Sequence, residues 1–342
     1  MNLNFLKNKS ILITGGTGSI GSAIVNRLIK TKCKVIRIMS NDENGLYELS
    51  RELNLSSFAF DNFSKDMKKN KVRFFLGDVR DFKRCRKVSK DVDIIIHAAA
   101  LKHVSIVEYN PKEAYQTNVI GTKNMIQAAV KNKVSKFILI STDKVVSPSS
   151  HMGKTKAMAE KMIFKKKKKS KTRLSVIRFG NVLGSRGSVV PNFIKLLKNK
   201  KDITVTDKRM VRFIMSINDA VNSVFKSVSI MKGNEIFISK SMKCFRIFDL
   251  AQALVKYFQK LKKTKNKIYI SNRYTGEKYE EELYSENEIP FISVKNNLFI
   301  ISKTKVMQDY KTRNLLNKYR ISNYNFLSQT QILRYLKKSK IL

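Results

Sequence analysis

The stretch Ile11-Leu12-Ile13-Thr14-Gly15-Gly16-Thr17-Gly18-Ser19-Ile20-Gly21 decides the fold. A short apolar, β-branched run ends at Thr14, glycines recur at 15, 18 and 21, and helical apolar spacing (Ile24, Val25, Leu28, Ile29) follows at once. A strand that turns on glycines into a helix lets the backbone approach a pyrophosphate, which the free N–H groups and dipole of the helix N-terminus favour. Gly15, Thr17, Gly18, Ser19, Ile20 and Gly21 are therefore candidate dinucleotide contacts. A glycine-rich turn without a ligand is the alternative, and the place of this one at the head of a strand–helix series argues against it. Working outward, strand candidates at Ile11 to Thr14, Val35 to Met39, Val72 to Leu76, Ile94 to His97, Phe137 to Ser141 and Ser175 to Phe179 alternate with helical patterns. This series predicts an α/β fold, a doubly wound parallel sheet of Rossmann type, with ligands at the carboxyl ends of the strands near a switch point. After residue 185 the pattern loosens, with strand candidates at Ile203 to Thr206 and Glu235 to Ile238 and helices near Asn218 to Ser229 and Ile247 to Lys260. We expect a Rossmann domain over 1–184, a smaller C-terminal substrate lobe over 185–285, and a polar, Asn- and Lys-rich extension of unassigned role over 286–342.

The chain has 342 residues, 42% of them hydrophobic, enough to bury a full core. Its longest apolar runs fall far short of the roughly 20 residues that cross a bilayer. The N-terminus, with Asn2, Asn4 and Lys7, lacks the apolar core and cleavage site of a secretory signal. Cys33, Cys85 and Cys244 are scattered without CxxC spacing or histidine partners, which suits a reducing compartment and argues against a metal site. The expectation is a soluble, cytoplasmic protein without a membrane span. Lys+Arg of 69 against Asp+Glu of 26 gives a net charge of +43. Such an excess draws any polyanion: nucleic acid, an anionic membrane, or an anionic substrate. Because lysine is spread over the whole chain, and the dense run Lys165 to Lys169 follows a helical pattern, a lysine-biased composition explains the excess without a specific nucleic-acid partner.

Residues that follow the strands carry the chemistry. Asp78 and Val79 follow the strand ending at Leu76, where Asp78 can meet an adenine edge or cap a helix. The second strand ends at Ser40-Asn41-Asp42-Glu43, where an acidic side chain bonds a ribose 2′-hydroxyl and a basic one a 2′-phosphate. Asp42 points to NAD, while basic residues elsewhere leave NADP open. In His97-Ala98-Ala99-Ala100-Leu101-Lys102-His103, the small residues Ala98, Ala99 and Ala100 suit the floor under a flat ring, and Lys102 and His103 can reach cofactor, substrate phosphate or sugar. After the fifth strand come Thr142, Asp143 and Lys144, and then Met152 and Lys156, four apart on one helix face. This spacing matches Tyr-x-x-x-Lys, in which the lysine lowers the tyrosine pKa and holds the nicotinamide ribose. A thioether takes no proton, so an ordinary dehydrogenase or a Tyr-dependent epimerase is a poor fit.

The blocks HAAALKHV, TNVIGT, ISTDK, Met-Gly-Lys-Thr-Lys, RFGNVLGSRGSVVP, MVRF and TGEKYEEEL, in this order, resemble the UDP-N-acetylglucosamine 4,6-dehydratases of surface-polysaccharide and nonulosonic-acid pathways over about residues 8 to 285. Several branches of that family carry Met at the tyrosine position. Its larger members have an N-terminal membrane region absent here, so the resemblance is to the short soluble forms. Two departures bear on it: Asn41 stands where the family commonly has Arg, and Val211 where it has Thr. The usual Arg-Pro-Gly-Glu-Lys reads Arg273-Tyr274-Thr275-Gly276-Glu277-Lys278.

The resemblance implies a tightly bound, recycled NADP or NAD and a UDP-sugar substrate in a homo-oligomer, dimer or hexamer. Oxidation at sugar C4 acidifies the C5 proton, water leaves from C5 and C6, and hydride returns to C6. Asp143 is then the acid, Lys144 the C5 base, Thr142 the ligand of the 4-oxygen and Lys156 the ribose contact, while either Asp143 or a water takes the 4-hydroxyl proton. Lys144 needs its pKa lowered by burial or by Lys102 to act as base. The segment Arg178 to Asn181 with Ser185, Arg186, Ser188 and Val189, joined by Arg212 and Glu277, suits a diphosphate and uracil pocket; a surface ion pair is the alternative for Arg212. Short length tilts the stereochemistry towards C5 inversion over retention. A nucleotide-sugar epimerase and a non-catalytic NAD(P)-binding scaffold are the rival functions.

Overall fold

The computed structural model describes residues 3–53, 71–165, 170–262, 265–306, 308, 310–320 and 323–342. Six strands of the first half, β1 (Ser10–Thr14), β2 (Val35–Ser40), β3 (Val72–Leu76), β4 (Ile94–His97), β5 (Lys136–Thr142) and β6 (Arg173–Phe179), alternate with α1 (Ser19–Ile29), α2 (Glu43–Glu52), α3 (Phe82–Val88), α4 (Val104–Tyr109), α5 (Pro111–Ala114), α6 (Gly121–Lys131) and α7 (His151–Phe164). They pair in parallel in the order β3-β2-β1-β4-β5-β6, the doubly wound arrangement that the strand–helix alternation predicts. All five residues of β1 and all four of β4 are buried, as strands covered by helices on both faces require.

The second half supplies β7 (Asn181–Val182), α8 (Val189–Lys198), β8 (Ile203–Val205), β9 (Val211–Met215), α9 (Ile217–Ile230), β10 (Ile236–Ser239), β11 (Lys243–Arg246), α10 (Ile247–Lys262), β12 (Ile268–Ile270), β13 (Ile292–Lys295), β14 (Leu298–Ile301), α11 (Tyr310–Lys318) and α12 (Gln329–Lys338). Three of these strands return to the large sheet: β10 lies parallel to β6, and β14 and β13 follow as an antiparallel edge, making nine strands among the described residues. Segments that the sequence assigns to the lobe and to the extension thus complete the Rossmann sheet. One hydrophobic core covers this sheet and takes in Leu316 of α11; a second joins α8, α10 and β8, closed by Ile332 and Leu336 of α12. Tyr284, Tyr319 and Tyr324 give their hydroxyls to the backbone carbonyls of Leu316, Lys240 and Met242, tying the C-terminal segment down where sequence periodicity is weak. Of the lysine run, residues 166–169 lie outside the described residues; Lys165 closes α7 as its C-cap.

Arg178 corrects one expectation. Its guanidinium bonds Glu160 of α7 at 2.9 to 3.2 Å and Glu288 at 2.8 and 3.0 Å, so it ties β6 to α7 and to the C-terminal segment instead of reaching a diphosphate. Only 5% of Arg178 is exposed. Arg178→Ala leaves two largely buried carboxylates facing each other and is expected to cost about 3–5 kcal/mol, read as a lower denaturant midpoint at unchanged m-value.

Candidate active site

The glycine turn sits where the carboxyl ends of β1 and β4 meet. Gly15 has φ +62°, and a Cβ there would lie 2.7 Å from Ala99 N and Cα. A Cβ on Gly21 would lie 2.3 Å from Gly15 O, so only hydrogen lets α1 seat this deeply on the turn. Gly18 caps α1 without a side-chain hydrogen bond, leaving the first N–H groups to a ligand. A cradle that one methyl group would fill, opening on an uncapped helix N-terminus, fits a dinucleotide diphosphate. Thr17 bonds Ser40 of β2 at 2.8 Å, holding the turn to the neighbouring strand end.

At that strand end Asp42 accepts from Gly45 N at 2.9 Å and so caps α2. Asp78 is no helix cap, because Asp81 caps α3. Its carboxylate instead holds Arg80 and Asn41; burial works against the charge, but these bonds outweigh it and keep Asp78 below the usual carboxylate range. Val79 is buried, and its carbonyl accepts from Asn124 at 3.1 Å. The loop Ala98, Ala99, Ala100 is clamped by Asn118, which accepts from Leu101 N at 2.8 Å, donates to Leu101 O at 3.0 Å and reaches Thr155 of α7 at 3.1 Å. Asn118 stands on a π-helical segment, Tyr115–Ile120, a local form often found at functional sites. Sequence reasoning passed it over, and the π-turn has no sequence signature of its own.

Beyond β5 the proton-carrying side chains converge. Lys144 Nζ donates to Asp143 Oδ1 at 2.9 Å and to Asn181 Oδ1 at 3.2 Å, and lies 3.4 Å from Glu281 Oε1. Thr142 donates to Asp143 Oδ1 at 2.8 Å. Asp143 is 0% and Glu281 3% exposed. Burial pulls the Lys144 ammonium down, but the carboxylates of Asp143 and Glu281 outweigh it and hold Lys144 above the ordinary lysine value. The expected lowering is therefore corrected for this state, and Lys102 is not the neighbour concerned: its ammonium donates to Arg186 O at 2.7 Å. Met152 is buried against Val107 and Ala114, and Lys156 donates to Ile140 O at 2.6 Å.

A cavity of about 470 Å³ opens on this cluster, lined by Lys144, Asn181 and Glu281 together with His103, Val189, Arg212 and Glu277. Arg212 and Glu277 approach to 3.5 Å, with Arg212 only 6% exposed, so this is a buried pair beside the cavity and not a surface one. Ser188 stands at the N-cap of α8 with its hydroxyl buried and without a protein partner among the described residues, and Ser185 O holds Ser188 N at 3.0 Å. Arg186 is placed elsewhere than expected: its backbone N–H bonds Ser19 Oγ at 2.9 Å and its guanidinium bonds Thr17 O, over the glycine turn. Glu281, like Asn118, was missed; it lies 137 positions from Lys144 in an acidic run that reads as solvated surface.

Residues 11–303 match the family described as Polysaccharide biosynthesis protein. The chain is 44% identical over 334 residues to a Methanocaldococcus jannaschii protein named an uncharacterized membrane protein, covering 93% of this chain and 95% of that one. It is 39% identical over 289 residues to a Rickettsia bellii protein named UDP-glucose 4-epimerase, covering 82% of this chain and 79% of that one. The X-ray structure of Pen from Bacillus thuringiensis superposes with a TM-score of 0.86 at 34% identity over 98% of both chains. No helix among the described residues is long and apolar enough to cross a membrane.

Lys156 offers a pH test. Burial lowers its ammonium to about 8, with Glu160 opposing only in part. The unfolded chain keeps this proton up to the ordinary value of 10.5 and so binds more protons between pH 8 and 10.5; stability therefore rises with pH across that window. Lys156→Met is expected to unfold no lower than the wild type at neutral pH and to lose this rise. A difference between the two proteins that stays flat in calorimetry over the window would count against it.

Proposed function

The chain belongs to the polysaccharide biosynthesis protein family, a group of nucleotide-sugar-modifying extended short-chain dehydrogenases/reductases, and from that premise we propose that it is a UDP-N-acetylglucosamine 4,6-dehydratase. The observation that carries the proposal is the contact cluster of Asp143, Lys144 and Glu281 at the end of β5, set against the buried thioether of Met152 where a tyrosine base would stand. Epimerisation at C4 needs one acid–base group at the 4-hydroxyl. Dehydration needs protons moved at the 4-oxygen, at C5 and at the departing 6-hydroxyl, and a lysine in contact with two carboxyl side chains suits that task.

NAD or NADP held by the glycine turn, the Ala98–Ala100 floor and Lys156 would supply the hydride acceptor and donor, regained within one turnover. Thr142 orients the 4-oxygen. Asp143, bonded to both Thr142 and Lys144, is taken as the acceptor of the 4-hydroxyl proton in this reading. The same proton then leaves with the 6-hydroxyl. Lys144, at the cavity wall, takes the C5 proton. Arg212 and Val189, at the N-terminus of α8, line the cavity and would receive the diphosphate and uridine.

One observation favours a second reading: relatives of this chain are named UDP-glucose 4-epimerase. Mass separates the two, since an epimer keeps the mass of its substrate. Purified protein given UDP-N-acetylglucosamine is expected to yield a product lighter by one water in mass spectrometry, and Lys144→Ala to yield none. C5 configuration, read by NMR in D2O, assigns inversion or retention. Interconversion at constant mass supports the epimerase.

A further inference from the structure

Lys144 presents a difficulty for the dehydratase reading, on which this inference rests. A base at C5 must arrive as a free amine, yet the structure holds Lys144 as an ammonium between two buried carboxylates, with Nζ 2.9 Å from Asp143 Oδ1 and 3.4 Å from Glu281 Oε1. Something must take its proton; the Lys144 side chain is 20% exposed on the cavity, and a sugar seated there would cover it. Glu281 is 3% exposed, lines the cavity beside Lys144 and Asn181, and its second oxygen, Oε2, is buried without a protein partner among the described residues. A carboxylate carried into such a place without a full set of hydrogen bonds is costly to keep charged and cheap to protonate.

We propose that Glu281 takes the proton from Lys144, so that Lys144 meets C5 of the sugar as an amine. Glu281 acts through Lys144 and is in that sense a positioning residue.

The trigger is the charge on Asp143. To act as acid at the 6-hydroxyl, Asp143 must first be protonated, which removes one of the two carboxylates holding the ammonium. The remaining Lys144–Glu281 ion pair, covered by the bound sugar, relaxes to the neutral pair when the Nζ–H bond breaks and an Oε–H bond forms. The amine lone pair takes the C5 proton, restoring the ammonium. One of the three ammonium protons, two of which have exchanged with solvent, is delivered to C5 when hydride reaches C6, and Glu281 then returns its own proton to the amine. Asp143 has delivered its proton to the departing hydroxyl by this stage, so the cluster ends in the state in which it began. The net change is the loss of one water. The groups facing this pair are Asp143, Arg212 and Lys278; the two cations, with Lys144, draw Glu281 towards the charged form, while burial, the larger influence, and Asp143 raise it. Protonation of Asp143 leaves Arg212 as the neighbour that lowers Lys144.

Glu281→Gln keeps the shape of the side chain and removes its ability to accept the proton. The variant is expected to bind UDP with wild-type affinity and to reduce its bound nicotinamide on mixing with UDP-N-acetylglucosamine. Water loss and C5 deuterium incorporation in D2O are expected to fall on the order of 10²- to 10⁴-fold. Because Lys144 must then shed its proton to solvent, kcat of the variant should rise about tenfold per pH unit, while the wild type stays flat through neutrality. Glu281→Asp should restore part of the rate. Full water loss and exchange in Glu281→Gln overturns the proposal. So does loss of UDP binding and of turnover in equal measure with an unshifted pH profile, since that is what a scaffold role gives. A wild type that binds UDP-N-acetylglucosamine without losing water sinks the dehydratase reading instead, and the coupling is then tested without turnover. The 13C resonance of reductively methylated Lys144, assigned by its absence in Lys144→Arg, should titrate lower in Glu281→Gln, and an unchanged midpoint overturns the proposal by itself.

Discussion

The contact between the backbone of Gly15 and that of Ala98 and Ala99 is the constraint from which the rest of the site takes its position. It joins the carboxyl ends of β1 and β4 at a separation that excludes even a methyl group, 2.7 Å from a Cβ to Ala99 N. A left-handed residue at this point turns the chain back under α1, and the second close approach, Gly21 over Gly15 O, seats the helix with its free N–H groups on the turn. The Ala98–Ala100 loop is then held from below by the turn and from its far end by Asn118, which also bonds Thr155 of α7. The position of α7 follows, and with it those of Lys156 and Met152. One steric condition at the start of the chain therefore reaches the far wall of the site through backbone contacts and a single amide side chain.

Charge is distributed unevenly across this frame. The chain carries +43 overall, yet carboxylates surround two of its buried cations: Glu160 and Glu288 around Arg178, Asp143 and Glu281 around Lys144. A buried cation without such partners would lose its proton or disfavour folding. With 26 acidic residues against 69 basic ones, the interior is close to balanced and the excess sits outside, where it raises the local concentration of any anionic substrate.

The parallel sheet was legible because its strands are buried on both faces and read as unbroken apolar runs; four of the six predicted strands of the first half extend by a residue or two beyond their expected ends, and β3 and β4 match them. The lobe was legible in its helices, whose periodicity is strong, and less so in its allegiance. Nothing in Ile236–Ser239 or Ile292–Ile301 states which sheet they will join, since pairing partners are set by three-dimensional closure and not by local pattern. The candidate site divides along the same line. Residues that follow strands could be found because the fold delivers strand ends to one place, and Asp143, Lys144 and Asn181 do meet there. Arg178 misled because alternation along β6 sends it to the face covered by α7. Arg186 was expected at the substrate and sits over the glycine turn, a placement that depends on how the loop at 184–188 folds back. Glu281 lies in the TGEKYEEEL block that carries the resemblance but was assigned no role there; its burial beside Lys144 comes from packing between segments 137 positions apart.

Met152 and Lys156 together say what the helix face is for. Where a tyrosine stands four residues before the lysine, part of the lysine's charge serves to acidify the phenol. Met152 has no proton to acidify and packs among Val104, Val107 and Ala114. Lys156 is nevertheless retained as a buried amine at a cost, with its ammonium lowered to about 8 and donating to Ile140 O. An ammonium has three donors, and a lysine kept for packing alone would be replaced by an apolar side chain without loss. Its other donors suit the proposed role, in which a bound ribose would bring acceptor oxygens to Lys156. In the proposed reaction, the acid–base work that a phenol would have done falls to the end of β5, where Lys144 is in contact with both Asp143 and Glu281.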